Sequence, residues 1–187
     1  MINGINSREM ILEILLEIEE GEHSHVAIRN ALSKYQFLPK QDRAFITRVC
    51  EGTLEYRIQI DYIINSFSKV TVDKMKPAIR ETLRSAVYQL KYMDSVPDSA
   101  VCNEAVKLAQ RKGFYNLKPF VNGVLRTIAR EMDQVRFPQK EDDLLKYLSV
   151  KYSMPEVLVT RWLEAYGEET TEKILADFLM EHPLTIR

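Results

Sequence analysis

Apolar residues recur through most of this chain at the three- and four-residue spacing that places them on one face of a helix. The first run has its apolar positions at Met10, Ile11, Ile14, Leu15 and Ile18. Ser7 precedes this run and is the predicted N-cap, because its hydroxyl can accept a hydrogen bond from a backbone N–H of the first turn. Gly21 predicts the end of the helix, since glycine readily adopts the left-handed conformation found there.

The same spacing predicts further helices before residue 136. They cover about residues 26–35, 40–67, 77–92, 98–109 and 117–132. The long stretch is expected to bend, either at Gly52 or within Tyr56–Ile60. Asp98 or Ser99 is the expected cap of the helix that follows the Val96–Pro97 break. Gly113 is its expected stop.

A more acidic segment follows a linker at residues 137–140. Its acidic triplet, 141–143, favours the start of a helix, because carboxylates at an N-terminus interact favourably with the helix dipole. Two more helices are predicted, over 155–165 and 170–178. Gly167 separates them. The extended fragment 184–186 is interpreted either as a frayed terminus or as the first strand of an absent domain.

These patterns predict an all-α fold with a helical bundle over 1–138 and a small helical connector over 139–187. The net charge of −1 hides an asymmetry: residues 1–136 hold 20 Lys and Arg against 17 Asp and Glu, whereas residues 137–187 hold 6 against 10. A nucleic-acid surface is therefore expected in the first part. No apolar run approaches the ~18 residues of a membrane span, so we expect a cytoplasmic protein without a membrane partner.

No motif that performs chemistry occurs in the sequence, neither a glycine-rich phosphate loop nor GxSxG. Cys50 and Cys102 lie in apolar helical patterns and are expected to be small buried residues, with a disulfide as the alternative. His23 and His25 are expected in a surface loop rather than in a metal site, because no third ligand is evident nearby. We expect no catalytic residue, no metal and no cofactor in this chain itself.

Residues 107–136 are unusually basic. The basic residues are Lys107, Arg111, Lys112, Lys118, Arg126, Arg130 and Arg136. Asn122, Arg126 and Arg130 share a helix face, on which the arginines would bind phosphates and Asn122 would hydrogen-bond a base or ribose. The alternative is a solvated face. Asn122 has a further alternative, partial burial with capping of a neighbouring helix.

Five motifs, in this order, resemble the NusB-like family. They are DRAF at 42–45, GTL at 52–54, LRSAVYQL at 83–90, NEAVKLA at 103–109 and FVNGVLR at 120–126. The resemblance covers about residues 5–135 and implies a NusB-like helical bundle that binds RNA. Arg43 is expected either to pair with Asp42 or to contact a phosphate. The full candidate RNA-binding set is Arg8, Arg43, Arg84, Lys107, Arg111, Lys112, Lys118, Asn122, Arg126 and Arg130.

The second part of the chain resembles the helical connector of the RsmB/Sun (Fmu) RNA cytosine-5 methyltransferases, through KYSMP at 151–155 and RWLEAYG at 161–167. HPLTIR at 182–187 is similar to the segment that begins their catalytic part. The resemblance implies the N-terminal region of a 16S-type ribosomal RNA (cytosine-C5) methyltransferase. S-adenosylmethionine and the catalytic cysteines would belong to an absent domain, and Cys50 and Cys102 match no catalytic motif.

One departure from the family concerns the N-terminus. NusB proper carries an arginine-rich segment there, whereas this chain has Arg8 followed by acidic residues, which directs RNA binding towards 107–130. A different class of function is a protein-interaction module, because NusB-family domains pair with protein partners or with themselves. Trp162 and Tyr166 would then dock the missing domain. A free-standing antitermination factor is the third interpretation, and the connector argues against it.

Overall fold

The computed structural model describes residues 6–180. The chain divides into two compact units, Met1–Val135 and Arg136–Arg187. Every regular element within residues 6–180 is helical, which confirms the all-α prediction. The predicted strand at 184–186 and His182 lie outside the described residues. Within the same range, no helix is both long enough and apolar enough to span a bilayer.

The first unit is a bundle built around one central helix. Its α-helices are α1 (Ser7–Glu19), α2 (Ser24–Lys34), α3 (Lys40–Glu55), α4 (Arg57–Phe67), α5 (Pro77–Tyr92), α6 (Asp98–Arg111) and α7 (Lys118–Glu131). α5 packs against α1, α3, α4, α6 and α7. Ile79, Leu83 and Val87 of α5 are at most 1% exposed, so the core surrounds this helix.

The caps of two helices differ from the sequence prediction. Asn6, not Ser7, is the N-cap of α1, and its side-chain oxygen accepts hydrogen bonds from two backbone N–H groups of the first turn at 2.9 and 3.3 Å. Asparagine and serine are nearly equal as caps, so adjacent candidates are hard to separate from sequence. Pro97 occupies the N-cap position of α6, and Asp98 lies in the first turn, where its carboxylate suits the dipole.

The helix breaks predicted at glycines are confirmed. Gly21 and Gly113 have φ of +113° and +86° and follow the ends of α1 and α6. The long stretch 40–67 breaks at Tyr56, within the predicted region, and forms α3 and α4.

The expected burial of the cysteines is also confirmed. Cys50 and Cys102 are both buried and free, and burial, reinforced by the charge of Glu51, raises the pKa of the Cys50 thiol. His23 holds the N-cap position of α2, whereas His25 lies in its first turn and not in a loop. Both histidines are exposed.

Gly52 of α3 is required by a close approach between helices. The ring of Tyr88, a buried residue of α5, fills the space that a Cβ at position 52 would occupy. The Tyr88 ring also stacks on the ring of Tyr56, which in turn stacks on Tyr92 with a centroid distance of 4.3 Å. The GTL motif therefore has a packing role, since its glycine lets α3 approach α5.

We expect Gly52→Ala to lower the free energy of unfolding by about 1–3 kcal/mol, the usual cost of overpacking a core. Without this steric conflict, replacing a helical glycine by alanine normally raises the free energy of unfolding by up to about 1 kcal/mol. Gly123→Ala is the matched control, because Gly123 is also helical and has no atom within 4 Å of an added Cβ. Urea denaturation followed by circular dichroism measures both. Equal stability of the two variants would contradict the packing role of Gly52.

The second unit has its own small core. α8 (Leu144–Lys151) begins at Asp143, whose carboxylate accepts a hydrogen bond from the Lys146 N–H at 2.9 Å. α9 (Glu156–Phe178) is interrupted at Gly167, with φ of +74°, which confirms the predicted break. The fully buried residues of this core are Leu148, Val159 and Leu175.

Glu172 of α9 forms hydrogen bonds with residues at the end of α8 and in the linker that precedes α8. Its carboxylate accepts hydrogen bonds from Lys140 at 2.9 Å, from Lys151 at 3.1 Å and from the Tyr152 hydroxyl at 3.1 Å. The hydrogen bond from Lys140 is the largest of the influences that lower the pKa of Glu172 to about 2. The charged form of this carboxyl therefore stabilises the second unit.

We expect Glu172→Gln to remove a pH-dependent contribution to the stability of the second unit. Because the pKa of Glu172 is depressed in the folded chain, its contribution is complete above the ordinary value of 4.5 and is lost as the pH falls towards about 2. Fluorescence of Trp162, the one tryptophan of the chain, reports unfolding in urea at each pH. Glu169→Gln is the control, because Glu169 is 85% exposed and pairs with Lys173. Parallel pH profiles of wild type and Glu172→Gln would contradict this role.

Candidate nucleic-acid interface

Two rows of polar residues run side by side on α6 and α7. A short loop joins these helices and α6 packs on α7, so they run antiparallel. Residues four apart share a helix face, which gives one row on each helix. The α6 row contains Asn103, Lys107 and Arg111. The α7 row contains Lys118, Asn122, Arg126 and Arg130. We call these seven residues the α6–α7 surface.

Arg126 is held in place by two amide oxygens, one from each helix. Its Nε–H donates to Asn122 Oδ1 at 3.0 Å, and its Nη2 donates to Asn103 Oδ1 at 3.3 Å. These donors form one edge of the guanidinium, so the end carrying Nη1 and the second Nη2 hydrogen remains for a bidentate acceptor such as phosphate. Amide oxygens are neutral, and within residues 6–180 no carboxylate pairs with Arg126.

The other cations beside Arg126 are mostly paired with carboxylates. The pairs are Lys107–Glu104 (2.7 Å), Arg111–Glu9 (3.7 Å), Lys112–Glu13 (2.9 Å), Lys112–Glu9 (3.5 Å) and Arg130–Glu131 (2.6 Å). The hydrogen bond to Glu13 is the main cause that raises the pKa of Lys112. Lys118 is exposed, and no carboxylate of the described residues pairs with it. Arg126 and Lys118 are therefore the uncompensated charges of this area.

The paired cations remain accessible. The side chains of Lys107 and Arg130 are 61% and 70% exposed. Exposed ion pairs contribute little free energy, so a phosphate can replace the carboxylate partner at small cost. Asn122 is half-buried, as its alternative prediction has it, but its side-chain oxygen accepts from Arg126 on its own helix instead of from the end of a neighbouring helix.

Arg84 is removed from the candidate set by its burial. It is 5% exposed, its Nε and Nη2 donate to both oxygens of Asp61 at 2.7 and 2.6 Å, and its Nη1 donates to Glu81 at 2.5 Å. Burial alone would lower the pKa of Arg84, but hydrogen bonds and charge from Asp61 and Glu81 outweigh it and raise the pKa. Its prediction as an RNA contact is wrong, because all three nitrogens of the buried guanidinium already donate to carboxylates inside the bundle.

Arg43 and Arg8 have structural contacts of their own. Arg43 Nη1 donates to the carbonyl oxygen of Leu32 at 2.8 Å and so ties α3 to α2, instead of pairing with Asp42. Arg8 Nε donates to Gln89 at 3.2 Å, and its guanidinium lies 5.2 Å from the centroid of the Phe45 ring. Burial lowers the pKa of Arg8, against the charge of Glu104. Both arginines are half-buried, which makes them weaker candidates than Arg126.

Asn103 is the residue that sequence reasoning missed as part of the site. It lies in the NEAVKLA motif, 23 residues from Arg126. Its position four residues before Lys107 and eight before Arg111 places it in one row with them. This four-residue spacing could have indicated that Asn103 belongs to the basic row of α6. Its hydrogen bond with Arg126 of α7, however, follows only from the packing of the two helices.

Comparison with known proteins identifies two groups of relatives, one much longer than this chain and one that the chain covers over most of its length. The family whose sequence model matches the chain is the NusB family, over residues 5–130. The chain is 34% identical, over 96% of its length, to a probable ribosomal RNA small subunit methyltransferase B of Bacillus subtilis, and 30% identical over 98% to that of Synechocystis. It spans only about two fifths of these relatives, 40% and 41%. The transcription antitermination protein NusB of Dictyoglomus thermophilum is 32% identical over 69% of the chain and 85% of that protein.

Solved structures place the fold in the same group. A structure described as PH0851 has a TM-score of 0.72 at 20% identity, over 96% of this chain and 40% of that one. NusB in a complex with NusE and double-stranded RNA has a TM-score of 0.61 at 21% identity, over 66% of this chain and 93% of that one. The helical bundle, the family match over residues 5–130 and the relative covered over most of its length together establish that this chain belongs to the NusB family.

Proposed function

We propose that this chain is the RNA-binding N-terminal region of a ribosomal RNA (cytosine-C5) methyltransferase, and that it holds substrate rRNA on the α6–α7 surface. The observation that carries the proposal is the guanidinium of Arg126, fixed by Asn103 and Asn122 and left without a carboxylate partner among the described residues. A pre-oriented cation of this kind loses little freedom when it binds a phosphate. The amides beside it have polar atoms suited to ribose or base edges.

The choice of a methyltransferase rests on the length of the match. The NusB relative covers 69% of the chain, whereas the methyltransferase B relatives cover 96% and 98% of it and so include the connector. The native protein would then act in the cytoplasm and transfer a methyl group from S-adenosylmethionine to C5 of a cytosine. The region 1–138 would bind RNA, and 139–187 would lead into the methyltransferase domain.

A protein-docking role for the connector is the second candidate, favoured by apolar side chains on α9. Tyr166 and Phe178 are 57% and 59% exposed, and the Phe178 ring stacks on Trp162 at 5.7 Å. The second unit would brace the methyltransferase domain of the proposed enzyme. A homodimer and an antitermination-type partner are the alternatives for such a surface. Light scattering across a range of concentrations distinguishes a dimer from a monomer.

Filter binding of 16S rRNA fragments at low and high salt tests the proposed function. Because each phosphate contact releases counterions, the logarithm of the binding constant should fall linearly with the logarithm of salt concentration, with a slope of about −0.7 to −0.9 per contact. A small number of cations predicts modest affinity and a slope of a few units. Absence of binding at low salt, or binding that salt does not weaken, would contradict the proposal.

A further inference from the structure

Tyr115 is an exposed aromatic residue in the loop between α6 and α7, at one end of the α6–α7 surface. It is 61% exposed and begins a short 3-10 turn over Tyr115–Leu117. Single exposed apolar residues are common on proteins. The position of this one sets it apart, because Arg111 is four residues before it and Lys118 three residues after it. The exposed ring therefore lies at the loop end of the two polar rows, where an RNA strand bound along them would pass it.

The backbone around Tyr115 is held in a defined conformation. Gly113 has φ of +86° and ends α6. The Phe114 N–H donates to the carbonyl of Ala109 at 2.9 Å, and the Leu117 N–H donates to the carbonyl of Phe114 at 3.0 Å. The turn also packs against both α6 and α7. A ring on such a turn is presented with little loss of backbone freedom on binding.

The spacing to Arg126 suits a short stretch of single strand. Lys118 and Arg126 are eight residues apart on one helix face, which is about 12 Å along the axis. On α6, which runs antiparallel to α7, Lys107 and Arg111 lead towards the same loop. A strand whose phosphates follow these cations would reach the loop with its bases free, provided that they are unpaired. Unpaired bases stack on aromatic rings, whereas the bases of an A-form duplex are already stacked and inaccessible.

From this placement we infer that the α6–α7 surface takes an unpaired segment of RNA, with one base stacked on the ring of Tyr115. The inference rests on the proposed RNA-binding function and deepens it, because it assigns Tyr115 as the residue that distinguishes an unpaired strand from a duplex. The charges supply affinity for any phosphate backbone. Tyr115 supplies the discrimination between strand forms.

The test compares a short unstructured RNA with a duplex of the same sequence, by fluorescence anisotropy with the full chain. Tyr115→Ala should weaken binding of the single strand by about five- to 100-fold, the effect expected for one base–aromatic stack. Binding of the duplex should change by less than about twofold. Tyr115→Phe should retain single-strand binding, because the ring remains. Tyr115→Leu keeps apolar bulk without a ring and should behave as Tyr115→Ala does.

Phe37→Ala is the matched control, because Phe37 is a similarly exposed aromatic, 57%, in the loop between α2 and α3. It should bind both RNAs as wild type does. Unchanged single-strand binding by Tyr115→Ala, with binding still lost when Arg126 is reversed, overturns the inference and leaves the proposed function standing. Equal losses on single strand and duplex also overturn it. If wild type binds neither RNA, the proposed function itself fails.

Discussion

Replacement of Arg84 by methionine is expected to lower the free energy of unfolding of the first unit by about 3–5 kcal/mol, the usual result of removing one partner from a buried ion pair. The guanidinium side chain is 6% exposed, and those of Glu81 and Asp61 are 4% and 22% exposed. Without it, the two carboxylates remain inside the bundle with no compensating charge. Methionine keeps most of the volume, so the loss is electrostatic rather than a cavity effect.

Urea denaturation at neutral pH measures this effect. Arg126→Met is the control, because it changes an exposed arginine of the same bundle whose partners are neutral amides. Its stability should stay within about 0.5 kcal/mol of wild type. A loss below about 1 kcal/mol for Arg84→Met would contradict the structural role of Arg84.

Reversal of the three cations of the α7 row, Lys118, Arg126 and Arg130, to glutamate is expected to weaken rRNA binding by about 100-fold or more. Each lost charge-assisted contact contributes about 1 kcal/mol or more, and three of them correspond to at least two powers of ten. The slope of the salt dependence should fall by about one unit for each phosphate contact removed. Filter binding at several salt concentrations gives both quantities.

The matched control reverses three exposed cations at another place on the same unit, Arg29, Lys34 and Lys40. Both triple variants change the net charge by the same amount, so non-specific repulsion of RNA affects them equally. The control should lose much less affinity than the α7 variant. If the two variants weaken binding equally, general charge rather than the α6–α7 surface attracts RNA.

The helices were predictable because their apolar periodicity and their glycine stops are local properties of the chain. Gly21, Gly113 and Gly167 all adopt positive φ where the pattern ends. Caps were less predictable, since Asn6 and Ser7 are adjacent and equally capable. Helix ends thus follow from sequence more reliably at glycines than at polar residues.

The roles of Arg84 and Arg126 illustrate what sequence could not provide. Both arginines lie in helical motifs, and each finds a side-chain partner 23 residues away, Asp61 for Arg84 and Asn103 for Arg126. Arg84 has a structural role because its partner is a carboxylate inside the bundle. The partner of Arg126 is a neutral amide at the surface, so the charge of Arg126 is uncompensated and accessible. Only helix packing decides which partner each arginine meets.

Photocrosslinking tests most directly whether RNA lies on the α6–α7 surface. The chain is bound to a 16S rRNA fragment that contains 4-thiouridine, irradiated and digested, and the crosslinked peptides are identified by mass spectrometry. We expect crosslinks within residues 103–130, including the loop at Tyr115. Crosslinks confined to α2, α3 or the second unit would contradict it.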